Sequence, residues 1–457
     1  MSPVMIFACA VTLYVLALIY VGFHSAKGQT SEGFVIGSRS VGVIPTMGSL
    51  AASFRDGMGA VFWTGIAYTY GYGGLWLIYG VIVGLIFLAI VGPKVRDYAE
   101  ERDFVTIGDF LKNKLGGACE KIVSLFIVVK SFLFVSIQLY VVGLICANVF
   151  GVEDYIGIIG SAIVIFMYLY FGGYTSVVKT DALQFFMIIG LVLVPFFIQP
   201  DMDAVMDFTS YASMGWESSL GLFIIGIFYV VAGADVWQRI FSAKNKKTIQ
   251  IAFPMAGVFL MVMTLTLIAI GYGLMGVMPS DISPDQVLFS LFSDLSVANP
   301  YVIAFLGVTI MAVSMSTLDT EAYVFTSSFV RNFLPEKYSI DRKQYIQFSR
   351  GLIGFLLAGT AIVSMAVTDV IQFLFDAVSL VYVIAPLLVA AIFGWAKPIP
   401  KQDMYLTASL IVAASVHVYL FLNEGFVNLL YNCIPLGVSV VLCGISILMT
   451  RGLKEEK

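Results

Sequence analysis

Long unbroken apolar runs set the terms for this chain. An α-helix needs about 20 predominantly apolar residues to cross the hydrocarbon core of a bilayer, and runs of that length recur from one end of the sequence to the other. Of the 457 residues, 60% are hydrophobic and only 12% are charged. A soluble domain has roughly 45–50% and about 25%. So little polar surface does not suit a body wetted on all sides, and a bilayer is the solvent that fits. Outer-membrane strands alternate apolar and polar residues over about 10 positions. The continuous runs here point to helices instead.

The runs place about thirteen crossings. A leading helix covers Pro3–Phe23. Ten core spans follow: Val41–Ala67, Gly74–Val91, Lys121–Phe150, Tyr155–Phe171, Thr175–Ile198, Ser218–Ala234, Ile249–Val277, Tyr301–Val330, Gln347–Val367 and Val370–Trp395. Two trailing helices cover Met404–Leu422 and Val427–Met449. The expectation is one transmembrane domain over 1–457, all α and polytopic. The first run is long enough to span and no positive segment precedes it, so it reads as a helix rather than a cleaved signal. The cysteines (Cys9, Cys119, Cys146, Cys433 and Cys443) lie in or beside apolar runs. They have no metal or disulfide spacing and read as packing residues.

Charge distribution orients the crossings. With the N-terminus outside, the inside loops hold His24–Arg39, Lys94–Lys114, Lys179, Arg239–Lys247, Arg331–Arg350, Lys397–Lys401 and Arg451–Lys457. The outside loops hold Glu153 and Asp154, Asp201–Asp207, Asp281–Asp294 and Glu424, with no lysine or arginine among them. This is the positive-inside pattern. It predicts a multi-pass inner-membrane protein with a cytoplasmic C-terminus. Only Arg55 and Lys130 are expected as cations inside helices. Spans 1–5 (41–198) and 6–10 (218–395) are odd-numbered sets, so as two halves they have opposite orientations. Many secondary transporters are inverted repeats of this kind, with broken helices at corresponding positions.

Four constellations carry chemistry. Span 1 contains PTMGSLAASFRDGMGAVFWTG, with Ser53, Arg55, Asp56, Gly57 and Gly59 near its middle. A charge at mid-bilayer costs about 2.5–3.5 kcal/mol on insertion scales, and each glycine weakens a helix by roughly 1 kcal/mol. Unwinding at this point explains both: freed carbonyls serve a cation and freed N–H groups an anion. The bland reading is an Arg55–Asp56 pair in a kinked helix. Span 8 contains MAVSMSTLDTEAY. Ser316, Asp319 and Thr320 share one face at i, i+3, i+4, and Thr317 lies at its edge. Hydroxyl and carboxylate oxygens suit an alkali cation; the alternative is helix packing through small polar residues. In YFGGYTSVVKTDALQ, Gly172-Gly173 signals a turn and Asp181 follows in the first turns of span 5. Asp181 either favours a helix N-terminus or completes a cation site. Lys130 in span 3, with Gln138 two turns on, needs a partner, and Asp56, Asp181 and Asp319 are the candidates. Asp369 reads as a loop residue and Asp376 as a cavity residue. Trp63, Tyr68, Tyr70 and Tyr72 read as interface-belt aromatics, some of them able to cap a substrate.

The chain also resembles the sodium:solute symporter family. GFVIGSRSVG, VTIGDFL, FGGYTSVVKTDALQ, WQRIFSAKN and MSTLDT carry the likeness, in order, from Gly33 to about Pro386. The resemblance implies a LeuT-like five-plus-five inverted repeat plus one leading and two trailing helices, with spans 1 and 6 broken. It implies a sodium site of span 1 and span 8 carbonyls near Ala52, Arg55 and Val313, closed by the Ser316 and Thr317 hydroxyls. It further implies a second ion site joining Asp181, Ser316, Asp319 and Thr320. The chain departs from the family at Phe54-Arg55-Asp56, where small or neutral residues are usual.

The expected function is sodium-coupled symport of a small anionic or zwitterionic solute by alternating access. The solute would bind at Ser53, Phe54, Arg55, Asp56, Gly57, Lys130, Gln138 and Asp376. Two carboxylates beside a cation also suit a proton, so proton coupling is the alternative, and a membrane sensor that moves nothing is a second. No enzyme motif, organic cofactor or nucleic-acid partner is expected. The partners are the solute and the bilayer, and a monomer suffices.

Overall fold

The computed structural model describes residues 3–26, 39–198, 202–275, 282–293, 299–335, 337–338, 342–367, 370–424 and 429–451. Among these, helices make up nearly everything, and the only extended pairing is one isolated bridge between Val41 and Ala243. The helices are α1 (Pro3–Ala26), α2 (Val43–Phe54), α3 (Gly57–Tyr70), α4 (Leu75–Glu100), α5 (Ile107–Lys114), α6 (Gly117–Phe150), α7 (Asp154–Gly190), α8 (Gly215–Ala232) and α9 (Ala234–Ser242). They continue as α10 (Lys246–Met275), α11 (Val287–Ser293), α12 (Pro300–Asn332), α13 (Arg342–Ser364), α14 (Val370–Tyr382), α15 (Ala385–Phe393), α16 (Pro400–Glu424) and α17 (Ile434–Thr450).

Among the described residues, length and composition mark 11 stretches able to cross a membrane, against the thirteen expected. The difference lies in how helices join. Gly57–Glu100 and Asp154–Phe197 each run 44 residues, about twice the length of one crossing, and each bends internally. The first turns through a 3-10 segment at Gly71–Gly74. The second turns at Gly173, whose φ of 52° and ψ of −151° lie where a side chain is strained. The Gly172-Gly173 turn signal is therefore real, although helical hydrogen bonding resumes at once on either side.

Span 1 is broken, as its glycines and charges suggest. It consists of α2 and α3, and Arg55 (φ −111°, ψ 54°) leaves the helical region between them. Span 6 is broken too, at Gly233, between α8 and α9. These are the first helices of the two expected halves. Around them, α4 packs along α8 and α10, α6 packs along α12 and α7, and α1 lies against α7 and α12. The trailing helices α16 and α17 pair with each other and touch the rest at α6 and α15.

Candidate substrate cavity and cation pocket

The break in span 1 follows from local chemistry. The last carbonyls of any helix lack intrahelical donors. Arg55 N–H still reaches the Ala51 carbonyl at 3.1 Å, and there α2 stops. Asp56 then caps α3: its carboxylate accepts the Gly59 N–H at 2.5 Å. Its other oxygen accepts the Gln138 amide from α6 at 2.9 Å. Arg55 turns the opposite way, donating to the Leu260 carbonyl at 2.8 Å and to the Thr264 hydroxyl, both on α10. Both side chains are buried, 5% and 7% exposed. The pair thus looks to different helices rather than to itself. Gly57 is required by closeness: a Cβ there would sit 1.8 Å from Ser314 Oγ and 3.1 Å from Ser314 Cβ on α12.

Beside the break lies a cavity with about 680 Å³ of empty space, part of it open to solvent. Ser53, Phe54, Arg55 and Asp56 line it. Aromatic rings complete the wall: Phe62, Trp63, Phe134, Tyr229 and Phe375. Phe54 meets Tyr229 edge-on at 5.7 Å, and Phe62 meets Phe375 at 5.8 Å. Trp63 is buried, with the Arg55 guanidinium 5.4 Å from its ring. It is a cavity residue, not the belt aromatic expected. Tyr72 is also buried, and its hydroxyl donates to the Val205 carbonyl at 2.6 Å. Of the residues expected to hold substrate, Gln138 acts through Asp56, and the side chain of Asp376 falls outside the described residues.

Lys130 finds a partner that was not expected. Its ammonium pairs with Glu321 on α12, not with Asp56, Asp181 or Asp319. The other Glu321 oxygen accepts the Ser131 hydroxyl at 2.7 Å. The Lys130 ammonium also lies 4.0 Å from the centre of the Phe134 ring, which itself faces the cavity. Burial enforces such a pair, because either charge alone is expensive in a low-dielectric interior. Glu321 stands in MAVSMSTLDTEAY, and the rule that singles out Asp319 there applies to it equally.

A second polar centre joins α2, α7, α9 and α12. Thr317 donates to the Ser53 carbonyl at 3.4 Å, tying α12 to the frayed end of α2. Ala52 and Val313 pack together with Ile188 and Met263. Asp181 accepts the Ser316 hydroxyl at 2.5 Å and the Ser49 hydroxyl at 2.5 Å. Asp319 lies apart, accepting Tyr168 at 2.8 Å and Thr180 at 3.2 Å, and its other oxygen is buried with no hydrogen-bond partner. Among the residues expected for the two ion sites, Ala52, Arg55, Val313 and Thr317 thus gather at the break. Asp181, Ser316 and Thr320 form the adjoining pocket, and Asp319 faces a neighbouring tyrosine.

Arg239 enters this pocket from α9. The charge rule placed it in an inside loop; the structure buries it in a helix, 3% exposed. It donates to Ser49 Oγ at 3.0 Å, Ser53 Oγ at 2.5 Å and Thr320 Oγ1 at 3.5 Å. Its guanidinium stands 3.8 Å from the Asp181 carboxylate and 3.6 Å from that of Asp235. Two signals mark it in retrospect. Asp235 and Arg239 are one turn apart in a stretch that alternates apolar and polar faces, and Ser49 and Ser53 are one turn apart in span 1.

Comparison with known proteins matches these features. A model of the sodium:solute symporter family fits residues 34–210. Sodium/proline symporters of Staphylococcus aureus strains JH9 and Newman are 29% identical over 368 residues, covering 74% of this chain and 71% of theirs. A Na+-coupled sialic acid symporter, solved in a substrate-bound outward-open state, superposes with a TM-score of 0.84 at 16% identity and 99% coverage of both chains. A nucleobase-cation-symport-1 family transporter in a closed conformation gives a TM-score of 0.59 at 14% identity, covering 93% of this chain and 96% of its own. The two superpositions speak to fold, and the family match over residues 34–210 contains the broken span 1. This multi-pass membrane protein is therefore similar to members of the sodium:solute symporter family, by the family match over residues 34–210 and by its sodium/proline symporter relatives.

Proposed function

We propose that this protein is a secondary active transporter that couples inward movement of a small zwitterionic solute to sodium. The observation that carries the reading is the break at Arg55–Asp56. It opens one way onto an aromatic-walled cavity and the other way onto a set of hard oxygen donors on α7 and α12. Oxygen-only donor sets suit hard cations. The frayed carbonyls of α2 with the Thr317 and Ser316 hydroxyls would hold one sodium ion; Asp181 with Ser316 and Thr320 would serve a second.

The cavity narrows the expectation of an anionic or zwitterionic solute. It presents one cation, Arg55, and one carboxylate, Asp56, against aromatic walls. Lys130, the further cation that favoured an anion, is neutralised by Glu321. An amino acid fits this balance, as the names of the sodium/proline relatives suggest. Ion binding that bridges α2 and α12 favours one state of the transporter over another only through its differential affinity for the two. Bridging two elements that separate during transport supplies that difference. The orientation follows the loop charges: N-terminus outside, C-terminus cytoplasmic, in the inner membrane, as a monomer.

The test is uptake of labelled amino acids, proline first, by proteoliposomes at equal pH inside and out. Uptake should follow an inward sodium gradient and collapse when choline replaces sodium. Uptake driven by a pH gradient in sodium-free buffer would overturn sodium coupling, and solute binding without flux would overturn transport.

A further inference from the structure

We infer that Arg239 is a tethered rival of the coupled sodium ion, exchanging between Asp181 across the helix interface and Asp235 on its own helix. The inference rests on the sodium reading above.

Around the buried Asp181 carboxylate stand neutral oxygens from Ser49, Ser53, Ser316 and Thr320, and a second buried carboxylate, Asp235, lies against the same guanidinium. Guanidinium and alkali cation look for the same thing there, a carboxylate flanked by hydroxyls. The Arg239 guanidinium already stands beside that carboxylate, 3.8 Å away. A second cation beside Asp181 would face the guanidinium across a single carboxylate, and like charges that close repel strongly in a low-dielectric interior. Sodium and the guanidinium therefore exclude one another at Asp181.

The structure also supplies the place to which the guanidinium retreats. Asp235 lies one turn earlier on α9, 3.6 Å from Nη1, while Nη2 faces Asp181. Nη1 is anchored on the Asp235 carbonyl at 2.8 Å. A swing about the last side-chain torsions thus trades one carboxylate for the other without exposing the charge. α9 has nine residues, follows the break at Gly233 and ends at Ala243 in extended conformation (φ −60°, ψ 137°).

The consequence is a link between ion occupancy and helix position. Without sodium, Arg239 clamps α9 to the Ser49–Ser53 face of α2 through three hydrogen bonds to these two serines. With sodium at Asp181, that clamp loses its charged anchor and α9 loosens from the Ser49–Ser53 face, while the Val41–Ala243 bridge stays. A ligand that removes a contact present in only one state shifts the equilibrium between states.

The experiment is a sodium titration of the purified full-length protein without substrate, read by thermal unfolding and by intrinsic tryptophan fluorescence. R239Q should lower the sodium half-saturation by about tenfold, because the rival is gone, whereas D235N should raise it severalfold, because the guanidinium has nowhere else to go. The double variant should behave like R239Q, and R239K, with a shorter reach, should fall between R239Q and wild type. Opposite signs for R239Q and D235N are the signature, since a purely structural clamp would weaken sodium binding in both. R239Q that binds sodium more weakly, or D235N that binds it equally or more tightly, overturns the inference; if R239Q does not fold, D235N decides alone. A wild type that does not respond to sodium removes the sodium reading itself. A responsive wild type with variants that do not shift, or shift with the same sign, removes only the role of Arg239.

Discussion

The two broken spans solve the same topological problem in different ways. In span 1 the chain unwinds over two charged residues, and the second of them, Asp56, caps the new helix with its own carboxylate. In span 6 one residue, Gly233, ends α8 and begins α9, with no side-chain cap. Its φ of −63° and ψ of 108° suit any residue. The charges of span 6 come a turn later, at Asp235 and Arg239, and reach outward into the neighbouring pocket. Span 1 thus offers fixed backbone oxygens beside a cavity. Span 6 delivers a side chain. One break is built to hold and the other to reach, and the glycines differ accordingly: Gly57 is pressed against Ser314, whereas Gly233 has atoms no nearer than 3.1 Å to its missing Cβ.

That contrast can be broken or sharpened by mutation. The largest effect is expected at Asp56. D56A removes a helix cap worth about 1 kcal/mol and leaves the buried Gln138 amide without its acceptor, about 1–3 kcal/mol more. Uptake at saturating sodium should fall by at least about a hundredfold, equivalent to about 2.7 kcal/mol. Near-normal uptake in a variant that still folds would show that the cap is not what shapes the site.

Next comes G57A, whose Cβ meets Ser314. Overpacking of this sort costs about 1–3 kcal/mol, so uptake should drop about tenfold or more. Adding S314A should restore part of it, and no rescue by S314A would locate the effect elsewhere. T317A removes one hydroxyl from the α2–α12 bridge, a change of about 1 kcal/mol. Sodium half-saturation should rise about fivefold while the maximal rate holds, measured as uptake against sodium concentration. The smallest effect is expected at span 6. G233A should change uptake and thermal stability by about 1 kcal/mol or less, since its Cβ would meet three atoms at 3.1 Å that need yield only slightly. A G233A defect as deep as that of G57A would erase the proposed difference between the breaks.

Much of the architecture was legible before any coordinates. The apolar runs foretold the helices, and the cluster of glycine and charge around Arg55-Asp56 foretold where α2 stops. Ser316, Asp319 and Thr320 stand out because they share one face of span 8 and bring a carboxylate to mid-helix, with Thr317 at the edge of that face. The count of crossings was less secure, since α3 and α4, and the two arms of α7, join through bends too tight to interrupt an apolar stretch. The partners of the buried charges were missed. For Lys130 the sequence offers Asp56, Asp181 and Asp319 as candidates, and Arg239 falls in a loop because the apolar run of span 6 ends at Ala234.

The reason is one of range. The free energy of placing a residue in a bilayer depends mainly on that residue and its near neighbours, so spans, their interruptions and the sidedness of loop charge follow from the order of amino acids alone. Which group neutralises a buried charge depends on helices far apart in the chain: Lys130 meets Glu321 across 191 residues, and Arg239 meets Ser49 across 190. Only packing brings such groups within a few ångströms. The sequence by itself determined that charges would be buried here and where the first core helix would yield; the tertiary structure decided which charge answers which, and placed an arginine at the aspartate expected to receive the ion.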